Sequence, residues 1–516
     1  MRFLLKNRDF SDMAVQPDLE FSIERYSWMA QGGPKMATIT ARGSAAALWS
    51  LLNHLRAPVE IYDDRGNLVW WGYLATIETD TKIGFGADIS AMYNRVAVAY
   101  TDQSIRYTTD WSEDAELTGE YGKKEILLSA SDMNETAALM FRDTFLAAKK
   151  RVIPTMSLSG SGDEKATITC LGWFYTLDWQ YFQETTGKES YEVSGQGGRE
   201  IGEDDRPIMA QSFQIAATSA WPATSIWLRP WKQGSSMPTD NLLVSIKSDN
   251  GGEPGTTLAS SQLGAADIGT QAEWLEFALN TGVTLQPATT YWIHIARSGA
   301  VAASNYFMVD TNVEAGYPRG ILRLWNTNVN AWTTEPENWQ GDLLFKVVGT
   351  TETTDQIESI ITRCGQFFGG SIIETASGSE SNPYRDGDTT GLFELKKILD
   401  GGTSNYRRML CEVTQNRYLR VYEEPVQPAN PLESYGLTKE KHLVTQYGTP
   451  VDMVGCPVAI WCHLVDVIPP TVDLSLVADP SLFFIEEAEV DVITGEYNIL
   501  LTRDQVSAFD TGAVYG

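Results

Sequence analysis

PVEIYDDRGNLVWWGYL, residues Pro58 to Leu74, is two apolar runs set around Asp63-Asp64-Arg65-Gly66. Gly66 tolerates the positive φ that a tight turn needs, so the pattern predicts a β-hairpin. Just upstream, Ser44 is placed to cap a helix whose Leu48, Trp49, Leu51, Leu52 and Leu55 recur at helical spacing. Strand, helix and hairpin in that order predict a small mixed β-barrel for the first hundred residues.

Outward from this hairpin, a second helix is expected from Ser131 to about Arg151. It would carry Ala137, Met140, Phe141 and Phe145 on one side and Lys149, Lys150 and Arg151 in its last turn, with Pro154 beyond. Strands resume at ATITCLGWFYTLDWQYF, Ala166 to Phe182, where six of the ten residues from Trp173 to Phe182 are aromatic. Such density reads as a core strand and its turn. GQGGREIGEDD, Gly195 to Asp205, is Gly-rich and charged and reads as a linker.

Composition changes beyond it. Only 18 of the 140 residues from 211 to 350 are charged, yet eight of the chain's 16 tryptophans fall there: Trp221, Trp227, Trp231, Trp274, Trp292, Trp325, Trp332 and Trp339. Short alternating runs (SIWLRPW, LLVSIKS, EWLEFAL, YWIHIAR, ILRLWN, LLFKVV) are separated by Gly, Asn, Pro and Thr, with no helical pattern between them. This predicts an all-β sandwich of the jelly-roll kind. Helical signals then return: Thr354 before Ile357, Ile360, Ile361, Cys364 and Phe368, and a further helix from Thr390 to Leu399 with Asp388 as a capping candidate. The polar loop Ala376 to Asp388 lies between them, and RMLCEVTQNRYLRVYEEP (Arg408 to Pro425) turns at Asn416. Helices on both sides of a helix-free block predict an α+β body interrupted by a β-sandwich insertion. The expected divisions are residues 1–118, 119–200, 201–351 (the sandwich), 352–430 and 431–516.

The chain has 516 residues and a formal charge of −28 with pI ≈ 4.5. That balance argues against a surface gripping phosphates, which needs Lys and Arg to displace counterions. Five cysteines (Cys170, Cys364, Cys411, Cys456, Cys462) imply no disulfide framework and suit a reducing compartment. The charged start MRFLLKNRDF does not read as a signal peptide. The longest apolar candidate, Val454 to Ile468, is broken by Pro457, His463 and Asp466, so no membrane span is expected.

Chemistry-bearing motifs are scarce. The four histidines, His54, His294, His442 and His463, have no partner at ligand spacing, and Cys456 with Cys462-His463 reads as buried thiols rather than zinc ligands. No GxSxG elbow, phosphate loop or HExxH occurs. Acid pairs such as Asp386/Asp388 and Glu203/Asp205 are expected by chance among 67 acids, so no catalytic residue, metal or cofactor is assigned. The sandwich offers more. Alternation puts Ile226 and Leu228 on one face of their strand and Trp227, Arg229 and Trp231 on the other. Likewise Trp292 and His294 oppose Tyr291, Ile293 and Ile295, and Trp325 opposes Leu322 and Leu324. Sugar faces stack on aromatic rings while polar groups take their hydroxyls, so Trp227, Arg229, Trp231, Trp292 and Trp325 are the candidate glycan contacts. Packing under loops or against a neighbour is the competing reading.

ERYSWMAQGGPKMATITARG (Glu24 to Gly43) followed by APVEIYDDRGNLVWWGYL (Ala57 to Leu74), with its Trp70-Trp71-Gly72, resembles the first barrel of bacteriophage tail-tip or baseplate hub proteins of long-tailed phages. GWFYTLDWQYF (Gly172 to Phe182), TTDQIESIITRCGQFF (Thr353 to Phe368) and DGGTSNYRRMLCEVTQNRYLRVYEEP (Asp400 to Pro425) are similar to later hub stretches. VSIKSDNGGEPGTTLASSQL (Val244 to Leu263) and TTYWIHIA (Thr289 to Ala296) look like the carbohydrate-binding jelly-roll modules appended to surface and tail proteins. The resemblance implies a structural virion protein, not an enzyme: a homotrimer made in the host cytoplasm that continues the tail tube. Its partners would be the distal tail protein, the tape-measure protein and tail fibre or spike proteins. DNA would pass through its acidic channel during ejection without specific binding, and the sandwich would meet a host surface glycan. A carbohydrate-active enzyme or depolymerase with an appended binding module is the alternative, and a secreted adhesin a third.

Overall fold

The computed structural model describes residues 1–102, 105–158, 162–184, 186–193, 197–202, 207–217, 220–312, 316–333, 341–375, 385–403, 407–424, 483–495 and 497–503, and strand fragments at 436–437, 443–444 and 457–458. Trp339, His442, Cys456, Cys462, His463, most of the Ala376 to Asp388 loop and most of the 431–516 segment lie outside the described residues. The protein is mostly β, in several sheets, and divides into two units. One comprises Met1–Phe182, Thr353–Ser379 and Gly387–Gly516, and the other Gln183–Glu352 with Glu380–Asp386.

In the first unit, antiparallel strands run side by side in the order Arg2–Leu5, Pro58–Tyr62, Leu68–Asp80, Lys165–Leu171, Gln31–Arg42, Glu20–Met29, Phe483–Asp491. The path is open. The barrel expected of the first hundred residues is therefore not closed among the described residues, because Arg2–Leu5 forms no ladder with Glu20–Met29, although the Phe3 and Phe21 rings meet across the gap at 4.6 Å. The hairpin that opened the sequence reading is present. Asp63 accepts from the Arg65 and Asn67 amides at 2.9 and 2.7 Å, and Gly66 holds φ 85°. Gly72 has a different role. A Cβ there would stand 2.2 Å from the Leu171 carbonyl oxygen, so the strand Lys165–Leu171 can close on Leu68–Asp80 only where position 72 has no side chain.

Ser44 caps Ala45–Ser50 through the Ala47 amide, and Leu48, Leu51 and Leu55 enter the core. Three helix readings need correcting. The Ser131 to Arg151 helix is Glu135–Lys149, capped by Asn134. Of its expected apolar side, Met140 is 67% and Phe141 40% exposed; Ala138 instead is the buried position. At the other end of the chain, Thr353–Cys364 starts one residue before its proposed cap Thr354. Gly391–Asp400 is capped by Thr390 rather than Asp388, whose carboxylate pairs with Arg106 at 2.9 Å. Trp173, Phe174, Trp179 and Phe182 are all buried, with Leu419 and Val421, in a core that draws on distant parts of the sequence.

The second unit is a β-sandwich. A six-stranded antiparallel sheet runs Pro254–Gly264, Asn241–Asp249, Tyr291–Arg297, Met209–Phe213, Leu322–Asn326, Ala331–Thr333, and a four-stranded one runs Lys188–Tyr191, Phe345–Gly349, Trp221–Leu228, Leu275–Leu285. Leu242, Val244, Ile246, Ile293 and Ile295 from the first share one core with Ile226, Leu228, Phe277, Phe345 and Val347 from the second. A third sheet joins Gly197–Ile201, Asn305–Asn312 and Pro230–Gly234. The stretch read as a linker thus supplies a strand whose Ile201 is fully buried.

Candidate functional site

Alternation along the sandwich strands behaves as the sequence implies: Ile226, Leu228, Tyr291, Ile293, Ile295, Leu322 and Leu324 all enter the core. The five candidate contact residues, however, are spread over three sheets, only Trp292 and Trp325 sharing one, and do not converge. Trp227 sits half-buried in the four-stranded sheet between Glu276 and Lys346. Arg229 follows that strand and pairs with Asp310 at 2.7 Å. Trp231 is on the third sheet, its ring against Gly198 and its Nε1 donating to Gln233 at 3.3 Å.

Trp292 faces away from the core, as expected, yet is only 1% exposed. Its Nε1 donates to Asp249 Oδ1 at 2.8 Å, and Asp249 Oδ2 accepts from the Gly252 amide. The hairpin tip Asp249–Glu253 thus folds over the indole, with Arg323 reaching toward Glu253 at 3.7 Å. Strand alternation reports which face a residue takes but not what a turn does above that face.

Trp325 remains half-buried on the same outer face, and its cross-strand partner is Trp332. Their rings meet edge to face at 5.6 Å, and Trp332 meets the His294 ring at 6.1 Å. Sequence reading counted Trp332 among the sandwich tryptophans without singling it out; the short Ala331–Thr333 strand that presents it gives almost no periodicity to read.

Next to this aromatic end lies a groove of about 590 Å³. Its floor is the outer face of the six-stranded sheet, where Cα pairing aligns His294 with Ser245 and Ser245 with Ser260, and sets Lys247 beside Trp292 and Thr257. Gln262 and Ala296 flank this row, and Ala278 and Asn280 of Leu275–Leu285 border the groove; Asn280 also accepts from the Ser260 amide at 2.9 Å. Burial, reinforced by the nearby Lys247 ammonium, pushes the His294 imidazole down to about 4, so it is neutral at ordinary pH and both donates and accepts. Burial lowers Lys247 as well. The lining joins hydroxyl, amide, imidazole and one ammonium to the apolar Leu243, Val244, Ala278 and Ala296, a mixture suited to the hydroxyls and C–H faces of polyhydroxylated ligands.

In the first unit the buried thiols Cys170, Cys364 and Cys411 are free, and burial raises all three, Cys364 to about 12. They are packing groups rather than nucleophiles. Among the described residues no group of three or more His, Cys, Asp or Glu could hold a metal ion, and no helix is long and apolar enough to cross a membrane.

No protein-family model and no curated protein matches the chain. Solved structures give distant likenesses. The Cry4Aa toxin of Bacillus thuringiensis aligns at 9% identity and TM-score 0.17 over 60% of this chain, which spans 56% of the toxin chain. A carbohydrate-binding module of the β-sandwich superfamily aligns at 11% identity and TM-score 0.15, covering 58% of this chain and 97% of the module. Infectious bursal virus derived particles give 13% identity and TM-score 0.16, over 65% of this chain and 76% of theirs. Likeness at this level carries no weight for function.

Proposed function

We propose that this chain is a structural virion protein of the tail-tip hub type, whose inserted jelly-roll-like sandwich contacts host-surface glycan through the outer face of its six-stranded sheet. The observation that carries the glycan contact is the Trp325–Trp332 pair beside the polar groove around Ser245, Lys247 and His294. An aromatic platform takes the C–H face of a sugar while hydroxyl and amide groups bond its edge. The hub reading rests on the Glu24 to Leu74 motifs. An acidic balance of −28 supports it by letting DNA pass three such subunits without adhering. In this reading the homotrimer joins the distal tail, tape-measure and fibre or spike proteins, and it hydrolyses nothing.

Two measurements test it. Light scattering with negative-stain imaging is expected to give three-fold particles; a monomer at every concentration, with and without the distal tail protein, removes the hub. Glycan-panel binding by the intact chain is expected to fall at least tenfold in Trp332→Ala, since a lost stacking platform costs about 1.5 kcal/mol or more. Unchanged binding by that variant moves the contact off this face.

A further inference from the structure

The groove beside Trp332 has a charge that the rest of the chain does not lead one to expect. In a protein with 67 acids against 39 Lys and Arg, none of the groove-lining residues is acidic. Lys247 lines it, and its ammonium makes no ion pair or hydrogen bond with any described residue. Its Cα neighbours across the sheet are Trp292 on one side and Thr257 on the other, and neither is anionic. Among the described residues, the two carboxylates of the adjoining turn are engaged elsewhere: Asp249 is held by the Trp292 indole and the Gly252 amide, and Glu253 is turned to Arg323. A half-buried ammonium without a counter-ion is costly to keep, and it gains most from an anion delivered by a ligand. The neighbours supply the rest of a sugar's needs: Ser245, Ser260, Gln262 and Asn280 offer hydroxyl and amide groups, and His294 is a neutral donor and acceptor.

Building on the glycan reading above, we infer that the groove is specific for acidic glycans, with the carboxylate of a uronic or sialic acid unit seated against Lys247 and a neighbouring ring against Trp332. The net charge of −28 opposes general adhesion of acidic polymers to the chain, so recognition of an acidic glycan depends on a local cation such as Lys247.

The test is calorimetric titration of the full-length protein with galacturonate, mannuronate and sialyl oligosaccharides, and with the same oligomers after reduction of their carboxyl groups. The acidic forms are expected to bind at least tenfold more tightly than their reduced counterparts, and the gap is expected to narrow as ionic strength rises. Lys247→Met keeps the aliphatic stem and removes the charge. It is expected to lose roughly tenfold to a hundredfold in affinity for the acidic oligomers, with no change for the reduced ones, while Lys247→Arg retains binding. Equal affinity for acidic and reduced oligomers, or an unaltered Lys247→Met, overturns the acidic specificity and leaves glycan contact standing. Failure of every oligomer, acidic and reduced, to bind a protein with native melting behaviour overturns both.

Discussion

Trp292 and Trp332 both point away from the sandwich core, yet substitution is expected to separate them cleanly. Trp292 is enclosed by the Asp249–Glu253 turn and hydrogen-bonded to Asp249, so Trp292→Ala should cost about 3–5 kcal/mol of stability, measured by denaturant unfolding. Trp332→Ala, at a half-buried site, should leave the unfolding midpoint nearly unchanged while removing glycan binding. His294 gives a pH signature. The unfolded imidazole protonates near its ordinary 6.5 and the folded one only near about 4, so the unfolded chain binds the extra proton first. Stability is therefore complete above 6.5 and falls as pH drops through 6.5 toward 4, by at most about 3 kcal/mol. Carboxylates titrate in the same window, so the readout is the difference between wild type and His294→Asn, which should lack this increment. At this scale the sequence announced the outward faces of Trp292 and Trp325, but not the turn over Trp292 nor the importance of Trp332. Both depend on what stands above the sheet, and a period of two says nothing about that.

Among elements, those with a local cause were legible. Asp63 and Gly66 make the hairpin turn, Ser44 caps its helix, and Ile357, Ile360, Ile361 and Cys364 form a buried stripe. Glu135–Lys149 shows where this fails. Helical spacing grouped Met140 and Phe141 with Ala137, but the sheet beneath the helix meets Ala138 instead. Which side of a weakly amphipathic helix is buried is set by its docking partner, a tertiary choice. Met140→Gln is accordingly expected to shift stability by no more than about 0.5 kcal/mol in a thermal melt. Gly72→Ala should behave oppositely. Its methyl group meets the Leu171 carbonyl, so a loss of about 2 kcal/mol or more is expected in the same measurement.

For the whole molecule, the change from a charged, helix-bearing chain to a helix-free, tryptophan-rich block is the signal behind the expected insertion at 201–351, and the compact unit that holds the sandwich comprises Gln183–Glu352 with Glu380–Asp386. Lys188–Tyr191, ahead of the Gly-rich stretch, joins the sandwich by pairing with Phe345–Gly349, too far along the chain for composition to signal. Two units with separate cores should unfold separately. Calorimetry is expected to resolve two transitions, with Trp292→Ala lowering only one and Gly72→Ala only the other. The pairing of Glu20–Met29 with Phe483–Asp491 also sets a timetable for birth on the ribosome. At about 5–20 residues per second, the early strand leaves the exit tunnel roughly 20–90 s before its neighbour is made. The sandwich can close as soon as Phe345–Gly349 emerges, while the older part of the chain still waits with an open edge. Translation order and folding order therefore differ: the sandwich in the middle can mature first, and the early strand Glu20–Met29 needs shelter until Phe483–Asp491 has been made.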